Sequence, residues 1–306
     1  MNDDKRSHEA SSLRAFFDGQ LDHLQTLVSS LSNRLRDQEQ QAEEDRQTVE
    51  SFVNASNSKM RAVDDYADKL REHVRALHNH VLQIADQIPP PVDLNLDAFG
   101  TNPLVNALFV NSNDIDKLFN TDPDVGVFFR AHSQHQVPVM YALLTAGKSE
   151  KGTLGIAMQG DMLIREVPQQ AVNFSSHKIH APCTSSAELS VALKEYLFGR
   201  VVGIIKQEMT LHMTHEAFKP GDVSYESKVK SLANPDVYLD TLIKYLEVPA
   251  KLLSIDRIHF KLSKLGIKLE DGDRQSANEF DIHELTWSNN TRNVLLQIAF
   301  ARLSVC

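Results

Sequence analysis

Apolar residues return at every seventh position near the start of the chain. The column reads Leu21, Val28, Leu35, Ala42, Val49, Val63, Leu70, Leu77 and Ile84, with Ser56 as its polar member. Such a column is the pattern of a coiled coil. A companion stripe begins at Phe17, Leu24 and Leu31 and resumes, shifted by one position, at Val53, Met60, Ala67, Val74, Val81 and Ile88. Gln38 and Asp45 occupy the places where the first companion would continue, so a change of winding or a break is expected there. From Gln20 to Gln87 there is no glycine or proline. A continuous helix over residues 11–88 would be about 115 Å long at 1.5 Å per residue. The alternative is a helical hairpin turning at Asn54–Ser58, whose residue types favour turns. The continuous helix is preferred because the column passes Ser56 without slipping, and it predicts a homodimer through residues 21–88.

Pro89, Pro90 and Pro91 end the helix, since proline lacks the amide hydrogen and clashes with the preceding turn. The expected division is a disordered N-terminus over 1–10, a coiled coil over 11–88, a proline-containing linker over 89–97, and a globular domain over 98–306 able to fold alone. In that domain, Asn102-Pro103 and Asp122-Pro123 each pair an N-cap with proline at the first helical position, and another short helix begins near Asn113. Val137 to Thr145 is almost wholly apolar and reads as a strand buried on both faces. A polar turn over Gly147–Gly152 follows, then strands Thr153–Met158 and Met162–Val167 around Gly160-Asp161. Ser185-x-x-Glu188 is a capping box opening a helix to about Met213. Asn234-Pro235 starts another helix through Leu246. Ile258, Phe260 and Leu262 alternate, then Leu265, Ile267 and Leu269 alternate in the opposite parity, which a β-bulge near Ser263 would explain. Phe280–Trp287 and Val294–Phe300 pair across Asn289-Asn290. The fold class is α+β: a long coiled-coil helix, then an antiparallel sheet with packed helices.

Charge narrows the partners. The net charge is -9, with -5 in residues 1–88 and -4 in the rest. Neither part is basic, which argues against nonspecific binding to nucleic acid or an anionic membrane. The first residues lack the apolar core of a signal peptide, and the apolar run Tyr196–Ile205 is short and interrupted by Arg200, so no membrane span is expected. Two cysteines, Cys183 and Cys306, suit a reducing compartment and place the protein in the cytoplasm.

Candidate chemistry is sparse. Ala142–Ser149 loosely resembles a phosphate-binding loop, but the loop would have to be an apolar strand followed by another strand, so the strand reading is preferred. The 13 histidines include three His-x-x-His pairs: His132/His135, His177/His180 and His212/His215. The middle pair is followed by Cys183. Imidazole and thiolate together suit zinc, so His177, His180 and Cys183 are the candidate metal ligands. Cys183 stands just before a helix N-terminus, where the dipole would favour thiolate. The opposing reading is a set of strand-end histidines beside a small buried thiol. His73, His78 and His80 read as solvated helix surface. Gln159, Asp161, Arg165, Glu166 and Gln169 lie in or beside the strand pair 153–167, where a solvated sheet face is the simpler account than a pocket. The function most consistent with these features is an interaction or assembly protein whose globular domain engages a protein partner or ligand. The competing reading is an oligomeric enzyme, metal-assisted at residues 177–183.

Overall fold

A computed structural model describes residues 42–132, 139–159, 162–218, 234–269 and 277–301. Within them the N-terminal stripe doubles back. Helix α1 (42–56) leads into a 3-10 turn over Ser58–Ala62, and α2 (Tyr66–Ala85) returns beside it. Arg75 of α2 pairs with Asp45 of α1, and Glu50 meets both Arg61 and Tyr66 across the turn. The continuous helix is thus corrected, for its described part, to a hairpin over 42–85; residues 11–41 lie outside the described residues. Local chemistry explains the turn. The Ser56 hydroxyl bonds back to the Phe52 carbonyl, the Asn57 side chain accepts from the Lys59 amide, and Asp65 adopts left-handed φ. The apolar column passes through because Met60 and Val63, inside the turn, are themselves buried.

That stripe is covered by the chain's own helices. Leu70, Val74, Leu77, Val81 and Ile84 share one core with Leu189, Leu193, Leu197, Val201 and Ile205 of α7 (Ser186–Phe218) and with Leu239, Leu242 and Leu246 of α8 (Pro235–Leu246). Burying each such leucine stabilises by about 1.5–3 kcal/mol relative to exposing it. The need for a second chain to hide the stripe therefore disappears over 49–88. The core also crosses the boundary expected at Pro89–Pro91, and just beyond it β1 (Val92–Asp93) pairs in parallel with β6 (Arg292–Ala301).

The sheet has the order β3–β2–β6–β5–β4, with β2 over Val139–Gln159, β3 over Met162–Cys183, β4 over Leu253–Ser263 and β5 over Ala277–Trp287. These five strands pair antiparallel. Alternation on β2 sends Leu143 into the core with α2 and α7, and Met140, Ala142, Leu144 and Ala146 into a second core. Helices on both faces explain the unbroken apolar run. The second face carries α3 (Leu96–Thr101), α4 (Pro103–Leu108), α5 (Ser112–Thr121) and α6 (Pro123–Ala131). Asn102 and Asp122 cap α4 and α6 as expected, each side chain accepting two backbone amide hydrogens. The short α9 (Pro249–Leu252) leads into β4.

Two strand expectations are corrected. Residues 147–152 are not a turn: β2 runs straight through them to Gln159. The parity switch after Ser263 is not a bulge but a reversal. Gly266 donates to the Ser263 carbonyl, and Ser263 donates to that of Ile267. Residues 266–269 then hydrogen-bond β4 on one side and β3 on the other, through Leu269 to Lys261, Val172 to Gly266 and Lys268 to Gln170. This closes the circuit from β3 round to β3 and rolls the sheet around Phe174, Phe260 and Phe280.

Candidate functional site

The sheet supplies its own projection. β6 pairs with β2 only as far as Ala146. Beyond it β2 pairs, among the described residues, with β3 alone, and past Gly152 and Gln170, where the closing segment leaves β3, the two continue as a two-stranded ribbon paired as far as Gln159 and Met162. Four large apolar side chains stand in solvent on this arm: Leu154 is 67 % exposed, Ile156 54 %, Met162 70 % and Ile164 37 %. The register puts Leu154 and Ile156 on one face, opposite Pro168 and Arg165, and Met162 and Ile164 on the other. Single exposed apolar residues are ordinary; here four gather on one projecting ribbon.

A bulge shapes the arm. The register slips between Gly155 and Ile156, and Glu166 takes up the extra residue with a φ of 59°. The Gln169 side chain folds across Gly155 and donates to the Ile156 carbonyl at 3.2 Å. A Cβ on residue 155 would stand 1.9 Å from Gln169 Oε1, so glycine is what admits this crossing.

The root of the arm is pinned by a neutral group of two lysines and two glutamates. Lys148 Nζ lies 3.3 Å from buried Glu284 on β5 and 3.2 Å from Glu150. Lys268, on the closing segment, reaches Glu150 at 2.7 Å, and Gln170 Nε2 donates to the same carboxylate at 2.8 Å. Both ammonium groups lie over the Phe260 ring, 5.6 and 5.3 Å from its centroid. The hydrogen bond from Lys268, seconded by Lys148, holds the Glu150 carboxyl below the usual carboxylate range. Sequence reasoning missed this group because it put Lys148 and Glu150 in a turn.

The predicted metal ligands are not gathered. His177 stacks on Phe109, with ring centroids 4.6 Å apart, on the face of α4 and α5. His180 turns to the other face, where it pairs with Thr145 Oγ1 at 3.0 Å and lies against Tyr196 of α7. Residues three apart on a strand point to opposite faces, which is the physical reason the pair cannot converge. Cys183 Sγ sits 3.5 Å from the Tyr141 and Ser185 carbonyl oxygens. Among the described residues no group of three or more His, Cys, Asp or Glu is placed to hold a metal ion. The thiolate expectation is also overturned. Burial pushes the Cys183 thiol up, and the Glu188 carboxylate adds to it. Burial likewise holds the His177 and His180 imidazoles below their ordinary value. His212 lies near Tyr245, His135 and His215 fall outside the residues whose side chains are described, and His80, expected in solvent, bonds the Leu253 carbonyl at 2.7 Å.

An open cleft of about 750 Å³ lies where α7, α8 and α9 meet, walled by Glu208, Leu211, His212, Tyr245, Lys251 and Ser288. It mixes both charges with apolar surface. No helix among the described residues is long and apolar enough to cross a membrane. Comparison with protein-family models, with curated proteins and with solved structures found no match.

Proposed function

We propose that this chain is a cytoplasmic interaction or assembly protein and that the arm is the element that meets its partner. The observation that carries the reading is the exposure of Leu154, Ile156, Met162 and Ile164 on both faces of a ribbon that projects past the sheet. A ribbon apolar on both sides is suited to insertion into, or pairing with, another surface. The remaining heptad positions Leu21, Val28 and Leu35, with Phe17, Leu24 and Leu31, offer a second contact between chains. The cytoplasmic setting rests on the low cysteine count and on Cys183 being a free thiol.

The test is capture from native lysate with the intact chain and with the variant Leu154→Asp, Ile156→Asp, Met162→Asp, Ile164→Asp. The intact chain is expected to retain proteins that the variant loses, while thermal unfolding of the two stays alike. Equal capture by both would overturn the role of the arm.

A further inference from the structure

We infer that the free edge of β2, residues 152–159, pairs antiparallel with the same edge of a second copy of this chain. This deepens the interaction reading and rests on it. The two edges of the arm are built differently. The β3 edge carries the devices that blunt strand addition: Pro168, the Glu166 bulge, and the charged pair Arg165 and Glu166. Between Gly152 and Gln159 the β2 edge carries none. Past Ala146 it has no ladder partner among the described residues. From Gly152 to Gln159 it contains no charged residue and no proline.

Stability points the same way. A two-stranded ribbon without helix cover is marginal in water, and three or more strands with an apolar face are needed for independence. Two arms joined along β2 make a four-stranded sheet.

Charge selects the occupant. Copies of a chain with net charge -9 repel one another over most of their surface. The stretch 152–159 is uncharged, so like-charge repulsion is least there. Identical strands related by a two-fold axis are self-complementary in the antiparallel sense, and the contact closes at two copies. A bilayer is the poorer occupant, because open strand edges leave amide and carbonyl groups that lipid cannot satisfy.

Light scattering on the full chain at micromolar concentration tests the inference with three sets of substitutions. The intact chain is expected to have the mass of a dimer. Leu154→Lys with Ile156→Lys, which places the usual edge-blunting residue on β2, should give a monomer that still unfolds cooperatively on heating. Ile164→Lys on the blunted β3 edge should remain a dimer. Leu21→Asp, Val28→Asp, Leu35→Asp, which disables the N-terminal heptads, should also remain a dimer. A monomeric intact chain, a dimeric β2 variant, or loss of the dimer in either of the other two would overturn the β2 pairing. Arm-dependent capture from lysate in a chain that scatters as a monomer would leave the interaction reading standing without it.

Discussion

Single residues decide how the sheet closes and how the protein responds to acid. Gly266 turns the chain with a φ of 73°, and a Cβ there would stand 2.9 Å from the Val172 carbonyl oxygen. The Gly266→Ala substitution meets both a strained backbone and a backbone clash, so a loss of about 1–3 kcal/mol is expected in urea unfolding. A change under half of that would mean the closing segment is dispensable. Burial holds the His177 and His180 imidazoles below their ordinary value. The unfolded chain takes up protons near pH 6.5 while the folded chain resists, so unfolded binds more and stability rises with pH. The contribution is complete above about 6.5 and is lost as pH falls toward the folded values. The variant His177→Phe keeps the stack on Phe109 without a titrating group. Its urea midpoint should fall less than that of the parent between about pH 7.5 and 5. Parallel pH profiles would show that His177 contributes nothing to the acid response.

Elements reuse one stripe for a purpose different from the one its period suggests. Leu77 stands on the heptad column and is fully buried between α2 and α7. In a coiled-coil seam, Leu77→Asp would separate two chains that each stay folded. Buried in the chain's own core, an unpaired carboxylate is expected to cost about 4 kcal/mol or more and unfold the chain. Circular dichroism on heating separates the two cases: the variant should lose cooperative unfolding, whereas a folded monomer would restore the seam. Helix boundaries were legible because their chemistry is local. Asn102, Asp122 and Asn234 cap the helices predicted from Asn-Pro and Asp-Pro pairs, and the Ser185 hydroxyl accepts from the Glu188 amide. The turn at Asn289-Asn290 was legible for the same reason, Asn290 taking left-handed φ.

The whole molecule is tied together across the proline run. Residues 49–88 contribute one layer of a core completed by Leu143, Trp287 and Leu295 of the sheet, and β1 adds a strand to β6. Residues 98–306 by themselves would expose the faces of α7, α8 and the sheet that α2 covers. That fragment is expected to show no cooperative thermal transition, while the full chain does. A sharp transition in the fragment would make residues 1–97 a separate module after all.

Amphipathic period, capping pairs and turn residues are written locally, so the sequence by itself determined α4 to α8, most strands and the α+β class, while the short α3 and α9 were not read from it. Tertiary structure decided what period alone leaves open. An apolar stripe states that a helix face must be buried, not by which chain, and here α7 and α8 lie close enough to cover it. His-x-x-His spacing states a separation along the chain, while strand alternation puts His177 and His180 on opposite faces. The polar residues 147–152 read as a turn because an exposed strand and a turn share their composition. Only the ladder between β2 and β3, held at its root by Lys148, Glu150, Lys268 and Glu284, makes them the start of an arm.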